Sequence, residues 1–185
     1  MSDRDRFIQD CIDAVADGQT AMREVVAAAV SEPAQVAAWF GEPTHAGIDT
    51  LHRSSQLTII NFTWAPYMSL LPHNHNMYAV IGLFAGREDN IFWRRTAHSI
   101  EAAGARSLGS GEVVTLGHDI IHSVLNPTRR MTRALHVYGG DFFEPDEPRM
   151  EWDPETLTER PYDVERAKRL FREAEERFFS HPSAE

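Results

Sequence analysis

The stretch Leu70–Gly86, "LLPHNHNMYAVIGLFAG", decides how this chain is read. Two histidines, His73 and His75, stand one residue apart behind Pro72, and an apolar run follows at once to Ala85-Gly86. On a strand, residues two apart point to the same face. Both imidazoles then reach one ion, with Asn74 turned away. Pro72 suits the start of such a strand, because it cannot donate to a central ladder. Alone, a His-X-His pair is explained equally well by an ordinary surface loop, so the surroundings must choose.

Those surroundings read as β. From about 45 to 145 the chain carries "QLTIINFTW", "MYAVIGLF", "NIFWRR", "GEVVTL", "IIHSVLN" and "TRALHVY". These short β-branched and aromatic runs are separated by turn-like segments such as "AGRED", "GHD" and "PTRR". Many short strands with tight turns predict a sandwich or barrel. Residues 1 to 44 read as helical. Phe7, Ile8, Cys11, Ile12 and Val15 recur at helical spacing and stop at Asp17-Gly18; "TAMREVVAAAVS" and "EPAQVAAWFG" follow, the latter with Pro33 in its first turn. From about 146 the Pro- and acid-rich "EPDEPRMEWDPE" reads as a linker. An amphipathic helix comes next, with Asp163 as its N-cap and Val164, Ala167, Leu170, Phe171, Ala174 and Phe178 as its apolar stripe.

With 185 residues and 42% hydrophobic content, one domain with a full core is expected over 1–185. The net charge of -10 argues against general binding to nucleic acid or to an anionic membrane. The lone cysteine, Cys11, excludes an internal disulfide and a zinc finger. With no signal-peptide core and no spanning run, a cytoplasmic location is the default expectation.

Of nine histidines, His45, His52, His98, His118 and His181 lack a partner at a meaningful spacing and read as solvated or structurally bonded. From His75 three residues lead to Ala79 and six more lead to Gly86, while Gly111, His122 and Asn126 follow downstream in "GEVVTLGHDIIHSVLN". Together these resemble the paired motifs of the cupin superfamily, G(X)5HXH(X)3-4E(X)6G and G(X)5PXG(X)2H(X)3N. Departures are Tyr67 for the opening glycine, Ala79 for the glutamate, Gly117 for the proline and Asp119 for the second glycine. The resemblance implies a mainly β chain, a double-stranded β-helix or jelly-roll barrel, with N-terminal helices and a C-terminal helix. It also implies a metal held by His73, His75 and His122, with Gly86 closing the hairpin after the first motif. Without the glutamate the ligands are three neutral imidazoles, which suit Fe, Zn, Cu and Ni alike.

Adding "RALHVYGGDFF" sharpens the resemblance to the cysteine dioxygenase family, the thiol dioxygenases within the cupins. His136 and Tyr138 match that family's late Ser-X-His-X-Tyr element, with Ala134 in the serine position. The resemblance implies ferrous iron, O2 as co-substrate, a small thiol acid oxidised to its sulfinate, and catalytic roles for Tyr138 and for His136, which orients it. "NMYAVIG" holds no cysteine, so no Cys–Tyr cross-link is expected. The family's carboxylate-holding arginine falls nearest to Arg53; Arg87, Arg94 and Arg95 read as solvated. Two other readings stay open: a three-histidine oxygenase cleaving C–C bonds of a diketone or hydroxylated aromatic, and a non-oxidative isomerase or binding cupin with Zn or Ni. The expected partners are a small-molecule substrate and O2, with a homodimer left open.

Overall fold

The structure, a computed structural model, describes residues 1–180, with side chains through Phe178; His181 lies outside them. Three helices come first, α1 (Asp3–Ala14), α2 (Gly18–Val30) and α3 (Pro33–Ala38). Ser2 and Asp5 cap α1 reciprocally, and Pro33 opens α3, where its missing N–H costs nothing. The strands are β1 (Gly47–Arg53), β2 (Thr58–Trp64), β3 (Ser69–Asn74), β4 (Ala79–Ala85), β5 (Arg87–Arg95), β6 (Ile100–Gly109), β7 (Val113–Leu116), β8 (Ile121–Leu125), β9 (Thr132–Tyr138), β10 (Met150–Trp152) and β11 (Glu159–Pro161). Helix α4 (Val164–Ser180) ends the described chain. Among the described residues, no helix is long and apolar enough to cross a membrane.

Two antiparallel sheets face each other, ordered β1-β2-β9-β4-β7 and β11-β10-β3-β8-β5-β6. This is the expected double-stranded β-helix. Period-2 alternation sorts the side chains of the first sheet into two cores. Ile60, Phe62, Trp64, Ile81, Leu83 and Tyr138 point between the sheets. Ile59, Val80, Leu135 and Val137 point the other way, against Phe7, Met22, Val26 and Val30 of the helices. Both faces are therefore covered, which is why β2 and β9 are buried along their whole length. Gly82 lets α2 approach: a Cβ there would lie 2.5 Å from Val26 Cγ1. Asp163 caps α4 as expected, its Oδ1 accepting from the Arg166 amide at 3.1 Å. Phe171 of that helix stacks on Trp64 at 5.4 Å.

Four local expectations are corrected. Gly86 does not close a hairpin, because β4 and β5 belong to different sheets. It turns the chain across the barrel at φ 81°, with no room for a Cβ, which would sit 2.3 Å from Thr132 Oγ1. Within "AGRED", Arg87, Glu88 and Asp89 are strand. Charge suggested a turn, yet β5 alternates Glu88 and Asn90 inward with Arg87, Asp89 and Ile91 outward. Pro72 does not start β3 but lies inside it, at a register shift between Leu70 and His73 that removes the need for its N–H. The Pro- and acid-rich segment is also more than a linker, since its β10 pairs with β3 and extends the second sheet. Tyr67, where the motif has glycine, keeps a glycine-like φ of 56°.

Candidate metal centre

His73 and His122 are direct cross-strand partners on β3 and β8, and His75 lies one residue beyond the end of β3. All three are buried, and each offers a ligand atom within 4.8 Å of the others. Outer bonds fix which nitrogen faces inward. His73 Nδ1 donates to the Leu71 carbonyl at 2.9 Å, and His122 Nδ1 donates to Asn90 Oδ1 at 2.8 Å, so both Nε2 atoms carry free lone pairs. His75 Nε2 and His122 Nε2 approach to 2.9 Å. Two bare lone pairs at that separation repel unless a proton or cation lies between them. Burial pushes His73 down to about 4, partly offset by the Leu71 bond, and holds His75 and His122 well below the ordinary imidazole value. All three are neutral at pH 7, as ligands must be. Ala79 is the cross-strand partner of Tyr138, so the position of the missing glutamate borders the tyrosine.

A chain of buried polar groups runs behind His122. Asn90 Nδ2 donates to Glu88 Oε1 at 2.9 Å. The other oxygen, Glu88 Oε2, stands 3.9 Å from His136 Nε2, and neither atom has a hydrogen-bond partner among the described residues. His136 Nδ1 meets the Tyr138 hydroxyl at 3.0 Å. Burial lifts the Glu88 carboxyl to about 7 against the pull of Asn90 and of the nearby Trp64 indole, and lowers His136 to about 3. The second motif's Asn126 has a structural task. Its Nδ2 donates to the carbonyls of Ala65 and Arg130 at 2.9 and 2.8 Å, tying two loops together.

The three histidines open onto a cavity of about 490 Å³ that also receives His136, Tyr138 and Arg149. Much of the rest is apolar: Phe62, Leu70, Val124 and Phe142 from the barrel, with Ala167 and Phe171 from α4 as a roof. Arg149 is 8% exposed. Its guanidinium lies between two rings, 4.4 Å from Phe142 and 4.5 Å from Tyr162. Nη1 is buried without a hydrogen-bond partner, and no carboxylate pairs with Arg149 among the described residues. A buried cation left unpaired this way is costly, and an anionic ligand would satisfy it.

His73, His75, His122, His136 and Tyr138 thus share one cavity, whereas Arg53 does not reach it. Arg53 lies outside the barrel, bonded to Asp141 at 2.9 Å and Glu144 at 3.1 Å. Glu88, Asn90 and Arg149 escaped the sequence reading. Glu88 sat in an apparent turn, Asn90 opened an apparent strand with no role attached to it, and Arg149 sat in an apparent linker. Period-2 alternation through Arg87–Arg95 was the available signal for the first two; Arg149 had none.

No protein-family model matches the chain, and no curated protein matches it. Solved structures resemble it weakly. A protein with a double-stranded β-helix domain from Klebsiella pneumoniae is 8% identical, covering 62% of this chain and 86% of that one at a TM-score of 0.48. An RmlC-like cupin from Methanocaldococcus jannaschii is 11% identical, covering 55% and 86% at 0.47. A cupin superfamily protein from Desulfitobacterium hafniense is 13% identical, covering 60% and 89% at 0.46. At these scores the double-stranded β-helix rests on this chain's own strand order and register, joined to a buried three-histidine cluster that is compatible with a metal.

Proposed function

We propose that the protein is an iron(II)-dependent cupin dioxygenase that oxidises a small thiol acid to its sulfinate. The observation that carries this reading is the shared cavity: an unpartnered buried arginine and a histidine-bound tyrosine beside three neutral histidines. His73, His75 and His122 would hold the metal, which supplies O2 activation and a binding position for sulfur when bound. Arg149 takes the substrate carboxylate, giving charge-assisted bonds to a group that otherwise has none. Tyr138 offers its hydroxyl to the substrate, and His136 orients that hydroxyl. The aromatic wall and the α4 roof exclude water and pack the carbon skeleton. Both atoms of O2 end on sulfur.

The test is oxygen uptake by anaerobically iron-loaded protein across a panel of thiols with and without carboxylates. One sulfinate per O2 is expected, lost together with iron in His122→Ala. No uptake with any thiol defeats the reading. The apolar wall favours a second reading, C–C cleavage of a diketone or hydroxylated aromatic; uptake with those compounds and not with thiols would select it. Zinc or nickel at full occupancy, with no O2 reactivity after iron exchange, would select a non-oxidative cupin.

A further inference from the structure

Glu88 has no role in the reading above, yet it is fully buried and joins both halves of the site. We propose that Glu88 is a positioning residue: through Asn90 it fixes the tautomer of His122, and through its second oxygen it fixes that of His136. The inference rests on reading the three histidines as a metal centre, and is independent of the substrate.

His122 Nε2 faces His75 and must keep its lone pair for a metal, so its proton sits on Nδ1. That N–H needs an acceptor, and Asn90 Oδ1 at 2.8 Å provides it. The Asn90 amide can flip, however, and would then present its NH2 to His122 and favour the tautomer that cannot ligate. The flip is blocked because the Asn90 NH2 already donates to Glu88 Oε1 at 2.9 Å. Because Oε1 accepts from that NH2, the amide is held in this one orientation. Its remaining oxygen stands 3.9 Å from His136 Nε2, beyond hydrogen-bond length, so the charge on Glu88 rather than a bond favours a proton on that nitrogen. His136 Nδ1 is then the acceptor for the Tyr138 hydroxyl at 3.0 Å, which fixes the direction of that O–H. Removing such an outer partner of a metal-bound histidine weakens metal affinity by about 10- to 100-fold.

Two variants separate the two arms. In Glu88→Leu nothing holds the Asn90 amide, so Co(II) should bind about 10- to 100-fold more weakly, read by competition with a chromophoric chelator. In Glu88→Gln the new carbonyl still accepts from Asn90, and Co(II) affinity should stay within about threefold of wild type, well inside the loss expected for an absent partner. The Gln amide now donates toward His136 Nε2, so His136 should change tautomer, read from long-range ¹⁵N–¹H spectra of histidine-labelled, metal-free protein. Wild-type affinity in a folded Glu88→Leu, or a Glu88→Gln as impaired as Glu88→Leu, overturns the inference. So does an unchanged His136 tautomer in Glu88→Gln, which decides the matter even if the leucine variant fails to fold. Failure of the wild type itself to bind Co(II) overturns the metal-centre reading along with it, whereas a protein that binds Co(II) but oxidises no thiol leaves this inference standing.

Discussion

Replacing Arg149 by methionine should damage ligand recognition while leaving the free protein about as stable as before. Two opposed contributions meet at this side chain. Its buried Nη1 has no partner, and an unsatisfied buried donor costs about 1–3 kcal/mol. The ring contacts with Phe142 and Tyr162 return about 0.5–2 kcal/mol each. Arg149→Met removes both at nearly constant volume, so the folding free energy of the ligand-free protein should move by only about 1 kcal/mol. Binding has no such compensation. A charge-assisted hydrogen bond to a carboxylate contributes about 1.5–3 kcal/mol, which corresponds to about 10- to 150-fold in affinity. The assay compares a thiol acid with its primary amide, matched in carbon skeleton, in wild type and variant. Wild type should favour the acid by that factor, and Arg149→Met should show no preference. Arg149→Lys should restore only part of it, because a point charge lacks the bidentate fork. An acid-to-amide ratio that survives in Arg149→Met would refute the assignment of the anion to this residue.

Gly86→Ala should lose about 3 kcal/mol or more in denaturant unfolding, combining a left-handed φ with a Cβ that collides with the buried Thr132. Tyr67→Gly should gain about 0.5–1 kcal/mol in the same assay, since an exposed side chain is exchanged for relief of a positive φ. The urea midpoint of metal-free protein should fall as pH drops from 6.5 towards 4. His73 and His136 hold their protons more weakly folded than unfolded, at about 4 and about 3 against an ordinary 6.5, so acid favours the unfolded chain. His73 alone contributes about 3 kcal/mol to that loss. Glu88, raised to about 7, acts in the opposite sense, contributing stability below 4.5 that is lost as pH rises through 7. A midpoint that stays flat between pH 4 and 6.5 would contradict the burial of four neutral imidazoles.

The barrel, the helices and the three-histidine cluster were legible because each leaves a local periodic trace. Phe7, Cys11 and Ala14 recur at helical spacing, and His73 and His75 at strand spacing. The motif matches carried His122 across the gap. What stayed hidden depends on contacts with no local signature. Glu88 looks like a turn residue and Asn90 like the plain opening of a strand until the register with β8 places Asn90 opposite Val124. Arg149 lies among prolines and acids, and only the return of β10 to β3 brings it to the cavity. Arg53 had the right residue type on β1, yet the strand ends at the outer edge of its sheet, where acidic neighbours engage the guanidinium. Tyr67 holds a positive φ at the position where the resemblance expects glycine, which sequence pattern alone does not reveal.

The pairing of His73 with His122 also governs the order of events during folding. Their strands are joined only by long-range contact, and His75 meets a partner 47 residues away. An unfolded chain offers an ion no more than the local His73–His75 pair, so the complete chelate forms only after β8 has docked beside β3. Closing a loop of that length belongs to the slow, non-local part of barrel assembly. An ion held there would therefore stabilise the finished barrel rather than its nucleus. Its effect should fall on the unfolding rate, which slows with metal, and leave the refolding rate almost unchanged.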